Sequence, residues 1–124
     1  MDSARALEAT RTLLASLADL AADWERMPFF VRPMARGGFE RRTGARMEQW
    51  EKDLGDLARA LETGKPAGPF RSLVPRLERM IESFRTAPER ASRFMGSARL
   101  DEITAKSRVR EEAARAVWTA LKEW

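Results

Sequence analysis

The 124-residue chain contains no cysteine, no histidine and no tyrosine. Without cysteine it has no disulfide, no thiolate nucleophile and no cysteine-ligated metal site. Without histidine it also lacks the usual catalytic triads, ordinary zinc sites and the one side chain that titrates near neutral pH unaided. We therefore expect a protein with no catalytic residues, no metal and no cofactor.

Long hydrophobic segments are also missing. No apolar run in the sequence approaches the roughly 20 residues that a membrane-spanning helix requires. The stretch from Met1 to Arg11 carries acids and arginines and has neither the cationic start nor the small-residue cleavage site of a secretory signal. The sequence therefore predicts no membrane span and a cytoplasmic location.

Carboxylates are the only abundant groups left that could act as general acids, general bases or metal ligands. The pairs are Glu48 with Glu51, Glu78 with Glu82, and Glu111 with Glu112. Paired carboxylates bind metals or hydrolyse glycosides, but each pair here has an arginine or lysine close by in the sequence. A di-metal helical bundle would also supply a Glu-x-x-His motif. Ion pairs on solvated helix faces are therefore the better interpretation.

Apolar residues recur at intervals of three and four along most of the chain, which predicts amphipathic α-helices. No segment alternates polar and apolar residues between turn signals, as a half-buried strand does. At 14.1 kDa the chain has the size of one domain with one core. We predict a single all-α domain over residues 1–124, a small bundle of about four to five helices joined by short loops.

Proline, glycine and capping residues mark the ends of the predicted helices. The helices are expected from Ser3 to Met27, from about Phe39 to Thr63, from Ser72 past Phe84, from Thr86 to Gly96 and from about Ala98 to Trp124. The two prolines and the glycine pair between Pro28 and Gly38 predict the main irregular loop, with space for one helical turn inside it. Trp24 and Trp50 fall on apolar stripes, and we expect them in the core.

The region from Arg26 to Arg46 holds the strongest functional signal. It contains six arginines but only one acid, and it places three phenylalanines near the Gly37-Gly38 pair. Arginines make salt-dependent contacts with phosphates, exposed aromatic rings stack on unpaired bases, and glycines let backbone amides approach a phosphate. Alternatively, Phe29, Phe30 and Phe39 close the end of the bundle and the arginines remain solvated.

A second group of arginines lies between Arg85 and Arg99, where Glu89 is the only acid. By contrast, residues 48–62 contain five acids and two basic residues. Such segregation predicts a basic and an acidic face, which would let several copies stack along a polyanion. The residues predicted to contact the backbone of RNA or DNA are Arg32, Arg36, Arg41, Arg42, Arg46, Arg90, Arg93 and Arg99.

In size, helicity, arginine content and lack of catalytic groups, the chain is similar in general character to the small helical subunits of CRISPR effector complexes. Those subunits line the guide–target duplex without cutting it. The likeness is one of composition and transfers no individual site residue. It implies a non-enzymatic subunit of a nucleoprotein complex, which contacts nucleic acid and neighbouring protein subunits.

An alternative interpretation makes the chain a protein-binding adaptor, such as an assembly chaperone, an inhibitor or a phage structural component. The predicted partner-binding residues are Phe29, Phe30, Val31, Met34, Trp118 and Trp124. The first four would form an exposed apolar patch, and tryptophan is common among interface hot spots. A carboxylate enzyme with a metal is a third hypothesis, and a peripheral membrane protein would use the same basic loop and its phenylalanines.

Overall fold

The computed structural model describes residues 2–123 and shows five α-helices joined by short connections. The helices are α1 (Ser3–Glu25), α2 (Arg32–Thr43), α3 (Met47–Glu62), α4 (Leu73–Ala91) and α5 (Ser97–Lys122), with a 3-10 helix at Gly68–Ser72 before α4. No strand occurs within residues 2–123, so the predicted all-α bundle of four to five helices is confirmed. None of the described helices is both long enough and apolar enough to cross a lipid bilayer.

Helix α5 runs antiparallel to α1. Lys106 and Arg110 of α5 reach Asp23 and Asp19 of α1, so residue numbers rise along one helix as they fall along the other. Helix α5 also packs along α4, and α1 packs against α3. The short helix α2 packs on α4 and touches α1 and α3 less extensively. This arrangement brings the arginine-rich helix α2 onto the helix that carries Arg85 and Arg90 of the second arginine group.

One hydrophobic core joins the four longer helices. Leu13 of α1, Leu54 of α3, Leu77 of α4 and Val117 of α5 have no exposed surface. Burying one such side chain stabilises the fold by about 1.5–3 kcal/mol, so the apolar stripes hold the bundle together. Trp24 and Trp50 are both buried in this core, which confirms their predicted position.

Helix α2 begins earlier than the sequence pattern indicates. The predicted irregular loop from Pro28 to Gly38 is wrong for most of its length, because α2 starts at Arg32. Pro33 lies in the first turn of α2, where a missing N–H interrupts no helical hydrogen bond. The Gly37-Gly38 pair therefore lies inside a helix and not in a loop.

The predicted helix from Phe39 to Thr63 is in fact two helices. Helix α2 ends at Gly44, which has a φ of 84° and donates its N–H to the Glu40 carbonyl oxygen at 2.9 Å. Glycine adopts this left-handed conformation at little cost. The chain turns there before α3 begins at Met47, so α2 packs on α4 instead of extending α3.

Helix α4 continues through Thr86 and Pro88 to Ala91, so the predicted start of a separate helix at Thr86 is wrong. The Thr86 hydroxyl donates backward to the Glu82 carbonyl oxygen at 2.9 Å. A hydroxyl used in this way does not cap a new helix. Arg90 consequently stands on the same helix as Thr86, one turn later. The predicted end of the last helix, Trp124, lies outside the described residues.

Candidate nucleic-acid interface

The arginines predicted from the sequence fall into separate groups, and the first lies at the junction of α1 and α2. Arg32 donates from Nε to the Met27 carbonyl oxygen at 3.0 Å and from Nη2 to the Glu25 carbonyl oxygen at 2.7 Å. Arg36 forms an ion pair with the Glu25 carboxylate. Because cationic side chains stabilise the free carbonyls at a helix end, these two arginines hold the end of α1 in place.

Two further arginines of the region are also paired with acids. Arg46 Nε lies 3.6 Å from Glu40 Oε1, and Arg26 Nη1 donates to Asp23 Oδ1 at 2.8 Å. Acids within and beside the region thus offset the charge of four of its six arginines. Arg41 and Arg42 are left, and they belong to a different group.

The second group gathers where the end of α2 packs on α4, and we call it the arginine cluster. It consists of Arg41, Arg42, Arg79 and Arg90. A groove of about 380 Å³ between the two helices is lined by Arg41, Arg42 and Arg79 together with Ser83 and Thr86. Arg90 binds Ser83 and Thr86 of this lining, so the fold joins members of both arginine-rich regions of the sequence at one groove.

Two guanidinium groups of the arginine cluster meet at Ser83. Arg42 donates from Nε to the Ser83 hydroxyl oxygen at 3.0 Å. Arg90 donates from Nη2 to the Ser83 carbonyl oxygen at 2.8 Å and from Nη1 to the Thr86 hydroxyl oxygen at 2.6 Å. These neutral acceptors fix both guanidinium groups without forming an ion pair.

Arg79 is held in the same manner. Its Nη2 donates to the Arg41 carbonyl oxygen, near the end of α2. Within residues 2–123, no member of the arginine cluster lies within ion-pair distance of a carboxylate. The cluster is therefore a group of cations that form no ion pair within the described residues.

The crowding of like charges affects the acidity of these groups. Partial burial lowers the pKa of the Arg42 guanidinium, and repulsion by Arg90 and Arg41 lowers it further. Partial burial likewise lowers the pKa of Arg90. Arginine nevertheless keeps its proton at neutral pH, so the folded protein holds these charges at an electrostatic cost that a bound anion would relieve.

Three glycines make room for the guanidinium groups of the cluster. A Cβ atom built at Gly37, Gly38 or Gly44 would lie 3.2, 2.7 or 2.7 Å from Nη1 of Arg41, Arg42 or Arg79, respectively. Glycine inside a helix is less stable than alanine by about 1 kcal/mol. Guanidinium groups thus lie against the backbone at these glycines, where a phosphate was predicted to approach the amides.

Two carboxylates also line the groove, and both have partners outside the arginine cluster. Glu78 accepts a hydrogen bond from Trp118 Nε1 at 3.1 Å. Glu82 is paired with Arg85, and the hydrogen bond from that guanidinium lowers the pKa of the Glu82 carboxyl. In the part of the chain that is described, no three carboxylates come close enough to share a metal ion.

Comparison with known proteins supplies no relative. No family model, curated protein or solved structure matches this chain. Its function must therefore be argued from the side chains that the fold brings together.

The remaining predicted arginines lie at the turn between α4 and α5. Arg93 is exposed in that turn, and Arg99 lines a groove of about 300 Å³ together with Pro28 and Met95. Neither has a carboxylate within ion-pair distance among residues 2–123. The loop after α1 and the turn after α4 thus lie side by side at one end of the bundle.

The phenylalanines near the glycine pair divide between the core and the surface. Phe39 is buried and contacts Trp24 edge to face, with ring centroids 5.4 Å apart. Phe29, Phe30 and Met34 are exposed, and Val31 is half-buried. The alternative in which all three phenylalanines close the bundle is therefore wrong for Phe29 and Phe30.

Trp118 lies at the contact between α4 and α5. Its indole N–H binds Glu78, and the Lys122 ammonium stands over its ring at 4.8 Å. These contacts use both its polar atom and its ring within the protein, so partner binding through Trp118 stays a prediction. Trp124, the other predicted partner-binding tryptophan, lies outside the described residues.

Proposed function

We propose that this chain is a non-enzymatic helical subunit of a nucleoprotein complex, and that it holds the phosphate backbone of RNA or DNA in the groove between α2 and α4. One observation carries the proposal. Four arginines from two helices surround this groove, and none has a carboxylate within ion-pair distance among residues 2–123. Neutral oxygens fix the guanidinium groups of three of them, Arg42, Arg79 and Arg90.

The chemistry of the guanidinium group favours a phosphate ligand. Each group has five N–H donors in a planar fork that matches two phosphate oxygens. Arg42 uses one donor on Ser83, and Arg90 uses two on Ser83 and Thr86, so further donors remain for a ligand. Because these contacts already order the side chains, binding a phosphate costs less conformational entropy.

The first test replaces the two arginines that meet at Ser83. We expect the Arg42→Gln/Arg90→Gln variant to bind a labelled oligonucleotide more weakly than the wild type in fluorescence anisotropy titrations over a range of salt concentrations. Loss of two phosphate contacts should make the slope of log affinity against log salt concentration shallower by about 1.4 to 1.8. Circular dichroism checks that the variant is still folded.

A matched control removes the same charge elsewhere. Arg11 and Arg59 are exposed and paired with Glu62 and Asp56. The Arg11→Gln/Arg59→Gln variant should keep the wild-type slope. If the two variants weaken binding equally, the affinity depends only on the net charge of the protein and not on the arginine cluster. If the wild type does not bind at low salt, the proposal is refuted.

A second test moves a guanidinium group without changing any charge. In the Gly38→Ala variant, the new Cβ atom would lie 2.7 Å from Arg42 Nη1 and must displace that guanidinium group. We expect the affinity for the oligonucleotide to fall about threefold to tenfold, equivalent to about 0.7 to 1.4 kcal/mol. Thermal stability should not fall, because alanine is the better helix former.

Gly55→Ala is the control for this substitution. Gly55 lies inside α3, and its added Cβ atom would have only Arg59 Nη1 within reach, at 4.0 Å. This variant should gain about 0.5–1 kcal/mol of stability and keep wild-type affinity. If Gly38→Ala also binds like the wild type, the position of the Arg42 guanidinium group is irrelevant to binding.

A further inference from the structure

Exposed phenylalanine rings are gathered at one end of the bundle, which we call the aromatic end. It consists of Phe29, Phe30, Met34 and Phe94. Pro28 and Met95, the neighbours of Phe29 and Phe94 in the sequence, line one groove. The rings of the α1–α2 loop and of the α4–α5 turn therefore belong to the same end of the molecule.

The geometry of these rings leaves them open to a ligand. Phe29, Phe30 and Phe94 are 79%, 68% and 86% exposed. Phe29 and Phe30 meet edge to face, with centroids 5.8 Å apart and an angle of 89° between the ring planes. In such a pair at most one face of one ring is covered by the other ring, so flat faces remain available.

Cationic groups accompany the rings. Arg93 and Arg99 flank Phe94 in the sequence, and within residues 2–123 neither has an ion-pair partner. Arg90 of the arginine cluster stands four residues before Phe94. Arg90 lies in the last turn of α4, and Arg93 and Phe94 follow it in the turn before α5.

We propose that the aromatic end stacks unpaired bases, so that the nucleic acid bound by this protein is single-stranded. This inference rests on the proposed function, because the same strand would place its phosphates on the arginine cluster. A flat ring face gains about 1–3 kcal/mol from stacking on one base. In a duplex the base faces are covered by neighbouring base pairs, so they are not available for stacking on the phenylalanine rings.

The test compares a labelled single strand with a duplex of the same length. The variant Phe29→Leu/Phe30→Leu/Phe94→Leu keeps an apolar surface but has no aromatic face. We expect its affinity for the single strand to fall at least about tenfold, while its salt slope and its affinity for the duplex stay at wild-type values. Val109→Leu, at an exposed apolar residue of α5 outside the aromatic end, should bind both ligands as the wild type does.

A gain-of-function variant tests the same inference in the other direction. Tryptophan offers a larger ring for stacking, so Phe94→Trp should bind the single strand more tightly. Emission from the new indole should be quenched when the strand is added, relative to the wild type under the same conditions. Unchanged affinity together with unchanged emission would overturn the stacking contact.

The outcomes separate this inference from the proposed function. If the wild type binds neither ligand, both are overturned. A second outcome is that the wild type binds strand and duplex equally, that Arg42→Gln/Arg90→Gln weakens the binding of both, and that the leucine variant weakens the binding of neither. In that case only the stacking inference is overturned. A protein or lipid partner at the aromatic end would tolerate leucine, so retention of strand binding by the leucine variant also counts against stacked bases.

Discussion

Replacing Asp23 by asparagine should destabilise the bundle by about 2 kcal/mol, within the range for losing a hydrogen bond between charged groups. The Asp23 carboxylate accepts hydrogen bonds from Lys106 Nζ at 3.1 Å and from Arg110 Nη2 at 2.8 Å, and so joins α1 to α5. The side chains of Asp23 and Arg110 are only 20% and 9% exposed. Asparagine would leave a buried guanidinium group with the exposed Asp19 as its remaining carboxylate.

The stability lost in Asp23→Asn should also depend on pH. Burial alone would raise the pKa of the Asp23 carboxyl, but hydrogen bonds from Arg110 and Lys106 and the attraction of their charges outweigh it and hold that pKa below its ordinary value. The folded state therefore favours the ionised form. Its contribution to stability is complete above the ordinary pKa and is lost as the pH falls through the lower, folded value.

Wild type and Asp23→Asn should accordingly converge in stability as the pH falls below about 4. Urea unfolding at a series of pH values measures the difference, and at neutral pH the loss corresponds to a fall in Tm of roughly 7 °C. As a control, Glu62→Gln breaks the exposed Arg11–Glu62 pair and should cost less than about 1 kcal/mol.

A paired substitution distinguishes a broken ion pair from a general intolerance of change at this position. Asp23→Leu/Arg110→Met removes both charges together, and apolar replacements of buried ion pairs are often neutral or stabilising. We expect this variant to recover most of the stability that Asp23→Asn loses. A loss for Asp23→Asn that is the same at pH 3 as at pH 7 would contradict the assigned role of the carboxylate.

The core was largely predictable from the sequence, but this ion pair was not. Residues such as Leu17, Leu54 and Leu77 recur at helical spacing and are buried, because apolar periodicity reports which face of a helix turns inward. Arg110 is buried as well, although its residue type points to the surface. Its partner lies 87 residues away, and no local pattern links positions at that distance.

The candidate site was only partly predictable, for a related reason. Arg41, Arg42 and Arg90 were identified by their arginine-rich surroundings, whereas Arg79 was missed. A signal did exist, since Arg79, Ser83, Thr86 and Arg90 follow one another at steps of four, three and four, which places them on one helix face. The predicted helix start at Thr86 divides these four residues between two helices, so the shared face of α4 does not appear in the predicted structure.

Substituting Gly44 by alanine should destabilise the fold by about 2 kcal/mol. The left-handed φ of 84° costs an L-residue about 1–2 kcal/mol, and the new Cβ atom would lie 2.7 Å from Arg79 Nη1. Arg79 would then lose its position against the Arg41 carbonyl oxygen. Stability and affinity for nucleic acid should therefore fall together, since the turn that ends α2 also positions a member of the arginine cluster.

Gly64→Ala separates the cost of the left-handed backbone from the cost of displacing Arg79. Gly64 has the same left-handed conformation as Gly44 but, within residues 2–123, no side chain packed against it. Gly64 has a φ of 70°, and its Cβ atom would meet no atom within 4 Å. This variant should lose only the conformational part, about 1 kcal/mol, and keep wild-type affinity. Urea unfolding measures the two stability losses, and anisotropy titrations measure the two affinities. If Gly44→Ala and Gly64→Ala agree in both, the placement of Arg79 depends neither on Gly44 nor on the break between α2 and α3.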